Sequence, residues 1–306
     1  MINKNLLNTD LLLLISAIIW GFAFVAQRAG MKFIGPFTYN SIRFTMGGLF
    51  LIPFIKLKNI FIRAEFKSNL KFGIILGIIL FIGSSFQQSG IVYTTAGNAG
   101  FITGIYVILV PIMGVTIKRK TGIGTCLGAI LAVCGMYFLS SSNTIDMNFG
   151  NFLVFISAIF WAVHVLLVDN FTKKIEPLIL ACIQFMVCSV LCFFSMLLFE
   201  KPTFPAIQKA VIPLLYGGFI SVGIGFTLQV VAQKKAHPTH AAIILSLEAV
   251  FAVVGGILIL SEELKFHTFI GCLLMLTGML VSQLWQRNKK NSEGKNKCKE
   301  IKPIQS

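Results

Sequence analysis

"ISAIIWG" at residues 15–21 is an apolar run closed by a tryptophan and a glycine, and "ISAIFWA" at residues 156–162 repeats it 141 positions later. Sliding the whole chain by that offset pairs Lys32, Ile34 and Pro36 with Lys173, Ile175 and Pro177, and Ile42 and Phe44 with Ile183 and Phe185. The same shift pairs Gly77 with Gly218, Gln88 with Gln229 and Gly114 with Gly255; a two-residue slip then pairs Gly128 with Gly271 and Gly135 with Gly278. An apolar composition raises chance matches among Ile, Leu and Phe, but not among Trp, Pro and Gln at one constant offset. The chain reads as one unit written twice.

Composition says what kind of unit it is. Of the 306 residues 56% are hydrophobic and only 12% charged, with a mean hydropathy of +0.85, against about 25% charged residues in a soluble domain. Ten apolar blocks can be drawn, roughly at 11–28, 36–55, 72–90, 97–117, 122–140, 150–168, 177–199, 211–232, 239–260 and 266–285. A helix rising ~1.5 Å per residue needs about 20 residues to cross a bilayer core, so each block crosses once. No loop is long enough for a soluble domain. Lys4 ahead of the first block imitates a signal peptide, but that block has a counterpart deep in the chain and so belongs to the fold.

The net charge of +15 is spread over short loops and the tail. Anionic lipid and topology account for that pattern, which argues against nucleic acid. With the N-terminus inside, twenty Lys and Arg fall on the inner side and five (Arg28, Lys32, Lys201, Lys209 and Lys265) on the outer; Arg43 lies within a helix. The positive-inside rule then puts both termini in the cytoplasm of a multi-pass cell-membrane protein. Five helices per unit is an odd number, so the second copy enters the membrane upside down, with Lys32 outside and its counterpart Lys173 inside. The expected organisation is a cytoplasmic N-terminus (1–10), a first five-helix repeat (11–140), a second (150–286) and a basic cytoplasmic tail (287–306) whose polar, Lys-rich composition predicts disorder. Inverted-topology repeats of this kind build secondary transporters, with one site between the two halves.

Three stretches carry a family resemblance: the two openings quoted above, "TTAGNAGFITGIYVILVPIMG" (94–114), and "HPTHAAIILSLEAVFAVVGGILILSEELKFHTFIGCLLMLTG" (237–278). Together, over about residues 10 to 286, they resemble the EamA-type transporters of the drug/metabolite transporter superfamily. Ala249 stands where that pattern has a proline and Ser261 where it has a glycine, and the first-half loop reads "KRK" without the glutamate. The resemblance implies transport of small organic solutes, often export of amino acids or related metabolites. It also implies a central cavity bounded by helices 1–4 and 6–9, with helices 5 and 10 at the periphery.

Polar side chains at membrane depth are costly and mark function by default. Arg43, in the second block, and Glu248, in the ninth, each call for a partner or a cavity. Glu248 can be a packing group, a substrate contact or a proton-coupling carboxylate; Arg43 can pair with it or bind a substrate carboxylate. Gln88 and Gln229 occupy equivalent positions, and their amides can serve an amino-acid-like ligand or join helices. Trp20 and Trp161 lie within the opening helices of the two halves, either as substrate-gripping walls or as helix packing. His164, one turn beyond Trp161, is a core histidine or a titrating one. Asn40, Asn98 and Tyr106 complete the candidate cavity set. Gly97, Gly100 and Gly104 permit close helix approach, and Pro111 can kink their helix.

The seven cysteines show no CxxC spacing and no His–Cys cluster, so no metal is expected. There is no Walker, Rossmann, HExxH or Ser–His–Asp pattern, hence no cofactor and no ATP bound to this chain. The reading is an alternating-access transporter whose partners are a small-molecule substrate and membrane lipid; nothing in the chain speaks to oligomeric state. The alternatives are a lipid-carrier flippase of similar fold and, with still less support, an intramembrane enzyme, for which no reactive groups converge.

Overall fold

The computed structural model describes residues 4–57, 66–94, 96–116, 122–140 and 149–260, followed by 266–267, 269–271, 273–281 and 284–285. Among the described residues all regular structure is helical. That is what a bilayer demands of an open chain, because a helix satisfies its backbone polar groups within one segment. The first half contains α1 (Lys4–Gly30), α2 (Pro36–Leu57), α3 (Phe66–Tyr93), α4 (Ala96–Thr103), α5 (Tyr106–Thr116) and α6 (Ile123–Ser140). The second contains α7 (Phe149–Phe171), α8 (Pro177–Phe199), α9 (Phe204–Lys209) and α10 (Val211–Leu215), then a π-helical stretch (Tyr216–Phe226), α11 (Thr227–Gln233), α12 (Pro238–Leu245) and α13 (Glu248–Leu260). Proline opens α2, α8 and α12, where its missing N–H would have no helical partner.

Six described spans are long and apolar enough to cross a membrane: Asn8–Gly30, Leu70–Tyr93, Phe149–Phe171, Pro177–Phe199, Val211–Gln233 and Pro238–Ile259. The sequence blocks at 36–55, 97–117, 122–140 and 266–285 are helical where described but lie outside that set. The block at 97–117 departs from a single helix. It breaks at Gly104–Ile105, where the N–H groups of Ile105 and Val107 bond three residues back, to Ile102 and Gly104. The block at 239–260 is tightened in the same way, with Leu247 N–H on Ile244 and Ala249 N–H on Ser246. The break falls at Gly104, a poor helix former near the centre of the block, while Pro111 lies within α5.

Packing between the halves is reciprocal. A Cβ on Gly77 (α3) would meet Val187 of α8 at 2.5 Å, and a Cβ on Gly218, its repeat counterpart, would meet Met46 of α2 at 2.7 Å. Met46 and Val187 are themselves 141 positions apart. Likewise a Cβ on Gly135 would lie 2.6 Å from the Gly271 carbonyl, and one on Gly278 2.6 Å from the Gly128 carbonyl. Contacts that exchange partners in this way are the signature of a two-fold relation.

Polar ties hold the helix ends. Glu200, just past α8, accepts the N–H groups of Phe37 and Thr38, each at 2.8 Å, and the Thr38 hydroxyl, so it caps the start of α2. Arg28 donates to the Ile91 and Val92 carbonyls at the end of α3. At the opposite end of α1, His240 Nε2 and Asp10 Oδ1 lie 2.9 Å apart.

Candidate functional site

Helices of both halves border a cavity with about 480 Å³ of empty space, its open mouth included. Each half supplies part of its wall. Helix α1 contributes Trp20, Phe24 and Gln27, spaced so that successive turns of one face line the space. Arg43 comes from α2, Gln87 from α3, Thr103 and Tyr106 from either side of the α4–α5 break. The second half supplies Trp161 and Val165 from α7, Ser221 and Phe226 from the π-helical stretch, Gln229 from α11, and Leu245 and Glu248 from either side of the α12–α13 junction. Described residues of α6 and of 266–285 contribute nothing to it.

The two interrupted helices place their residues in a matched way. Tyr106 is the first residue of α5 and Glu248 the first of α13, and both face the cavity. At the 141 offset Tyr106 falls opposite Leu247, one position before Glu248, so the two positions are near-equivalents. Discontinuous helices at corresponding places in two halves are where transporter folds put their sites.

Charge in this wall is unbalanced locally. Arg43 is 2% exposed. It makes no ion pair among the described residues, and its guanidinium lies instead 4.8 Å from the Phe44 ring centroid and 5.5 Å from that of Tyr39. Glu248 is 4% exposed and its Oε1 has no hydrogen-bond partner. Of the two sequence readings for Arg43, a pair with Glu248 or a site for a substrate carboxylate, the described residues do not show the pair, although both groups border one space. Gln27 Oε1, Trp161 Nε1, Gln229 Oε1 and Arg43 Nε are also buried without partners, while the Tyr106 hydroxyl faces the Glu248 carboxylate. An unpaired buried polar atom costs about 1–3 kcal/mol, so several bordering one cavity point to a ligand that completes them.

Of the sequence candidates, Trp20, Arg43, Tyr106, Trp161, Gln229 and Glu248 line the cavity. Trp20 is also tied to the scaffold, its Nε1 donating to the Ser221 carbonyl at 3.3 Å. Asn40, Gln88 and His164 stand behind the wall. Asn40 Nδ2 donates to the Ser84 carbonyl at 3.1 Å. His164 Nε2 lies 2.8 Å from the Gln184 side-chain amide. Gln88 is wholly buried with both amide atoms unpartnered, while its neighbour Gln87 lines the cavity and donates to Thr103 Oγ1 at 3.0 Å. The side chain of Asn98 lies outside the described residues. Sequence reasoning missed Gln27, Gln87 and Ser221. Gln27 was legible, seven positions beyond Trp20 on the same helical face; the other two depend on the exact register of α3 and of the π-helical stretch.

Both halves of the chain match the same family, the EamA-like transporters, over residues 7–141 and 148–283. The chain belongs to the EamA-like transporter family. An uncharacterized transporter of Archaeoglobus fulgidus is 32% identical over 286 residues, covering 91% of this chain and 86% of that one. The uncharacterized transporter YoaV of Bacillus subtilis is 23% identical, covering 87% and 93%. A WAT1-related protein of Arabidopsis thaliana is 24% identical, covering 88% and 82%. A solved crystal structure superposes with a TM-score of 0.76 at 17% identity, covering 92% of this chain and 97% of its own, which shows a shared fold. The protein is a multi-pass membrane transporter, not an enzyme, and the Archaeoglobus and Bacillus relatives are likewise named transporters.

Proposed function

We propose that this EamA-family protein is a secondary transporter of a small zwitterionic solute, an amino acid or a related metabolite. It works by alternating access across the cell membrane, and export is the direction the family resemblance favours. The observation that carries the reading is the cavity with a buried guanidinium lacking a carboxylate, Arg43, and a buried carboxylate lacking a cation, Glu248. A molecule bearing one carboxylate and one ammonium supplies both missing partners, and the cavity's aromatic wall receives its side chain. A lipid carrier headed by a phosphate would satisfy Arg43 and leave Glu248 facing a like charge.

The architecture proposed for it is ten helices in two inverted five-helix repeats, residues 11–140 and 150–286, with both termini cytoplasmic. The exchanged glycine contacts and the matched interruptions before Tyr106 and Glu248 support it. Exchange uptake of labelled alanine by proteoliposomes tests the substrate class. Arg43→Gln and Glu248→Gln should each lower flux about tenfold or more, the scale of losing a hydrogen bond to a charged group. Flux above half of wild type in both variants would sink the zwitterion reading. Glu248 is further proposed to carry a coupling proton; if Glu248→Gln leaves the pH dependence of transport unchanged, that role falls.

A further inference from the structure

The aromatic side of the cavity has one residue at its hub. The Phe226 ring lies 4.5 Å from Trp20, 5.8 Å from Trp161, 5.9 Å from Phe185, 6.2 Å from Phe44 and 6.3 Å from His164, centroid to centroid. It is 5% exposed. It thus sits between the two tryptophans that open the repeats, where an apolar side chain entering the cavity would otherwise lie.

What puts it there is the backbone. Phe226 ends the π-helical stretch Tyr216–Phe226, and Ser221, five residues earlier, borders the same cavity. In an α-helix, residues five apart point about 140° away from each other, because each residue turns about 100°. A π-helix bonds each N–H to the carbonyl five residues back, which brings such residues toward the same side. The wider turn is stitched to α1 by three hydrogen bonds. Ser16 Oγ donates to Gly225 O at 3.0 Å, Trp20 Nε1 to Ser221 O at 3.3 Å, and Tyr216 Oη to Ile19 O at 2.8 Å. The equivalent helix of the first half, α3, is α-helical throughout Phe66–Tyr93. Ser85 stands 141 positions before Phe226, so the ring has no counterpart across the repeat.

We propose that Phe226 is a specificity-determining residue, a stop aimed by the π-helical turn that limits how large a side chain the transported solute can carry. The proposal rests on the zwitterion reading above and adds a size limit to it. Solutes with an alanine-sized side chain fit beside the ring; a benzyl side chain needs the volume that the ring already fills.

The test is exchange uptake by proteoliposomes supplied with alanine and phenylalanine together at equal concentration, each carrying a different label. The readout is the phenylalanine-to-alanine flux ratio, which a general loss of folded protein does not move. In Phe226→Ala the ratio should rise about tenfold, the discrimination expected of pocket size, with a smaller rise in Phe226→Leu. Phe226→Leu keeps an apolar side chain at the hub, so it reads the effect should the alanine variant fail to fold. A ratio within twofold of wild type in the folded variants overturns the size limit while leaving the zwitterion reading intact. A wild-type protein that carries phenylalanine as fast as alanine overturns it too. A wild-type protein that moves neither overturns both.

Discussion

Single residues at membrane depth divide into those held by the protein and those left open to a ligand. Trp20 and Trp161 show the division, although the repeat makes them equivalents. Trp20 spends its N–H on Ser221, whereas Trp161 Nε1 is buried without a partner. Trp20→Phe should therefore lower stability by about 1 kcal/mol, the net value of one hydrogen bond, seen as a fall in melting temperature in detergent. Trp161→Phe removes an unsatisfied donor, so stability should hold or rise while alanine exchange falls. Equal melting shifts in the two variants would show that the division is wrong. At the same scale the sequence placed both charges at membrane depth and left Arg43 either to pair with Glu248 or to bind a substrate carboxylate. The two side chains border one cavity without meeting, because Arg43 settles against aromatic rings.

Among elements, the helix starts and crossings carry the stability that the site depends on. The Glu200 carboxylate satisfies two of the otherwise orphaned N–H groups of α2 and so couples α2 to the end of α8. Glu200→Ala should cost about 1–2 kcal/mol, typical of a lost cap; a melting temperature unchanged from wild type would contradict that. Gly218→Leu and Gly77→Leu should each destabilise by about 1–3 kcal/mol or more through overpacking at the exchanged contacts, and by similar amounts, since the contacts mirror one another. The repeat offset was readable at this scale from Trp, Pro and Gln alone. The π-helical turn was not, because its apolar residues also fit an α-helical pattern. That hidden turn is a reason the offset matched Gln88 to Gln229 while the cavity matches Gln87 to Gln229. Each residue added to a helical turn rotates everything after it by about 100°.

For the whole molecule the sense of the repeat follows from its charges. Lys32 and Lys173 occupy equivalent places in the two halves, and inversion puts them on opposite sides of the membrane. With a single cysteine introduced at each site in a cysteine-free background, an impermeant thiol reagent added to intact cells should label Lys32→Cys but not Lys173→Cys. The pattern should reverse in inside-out vesicles; labelling of both from the same side would rule out inversion. Sequence alone determined that the chain is helical, membrane-embedded and doubled, since hydropathy, charge asymmetry and a constant offset are properties of the chain read end to end. Only the tertiary structure decided which polar groups share a space, that Arg43 and Glu248 form no ion pair, and that Phe226 lines the cavity against both Trp20 and Trp161. Those facts depend on helix rotation and crossing, which a one-residue change of register alters without any change in composition.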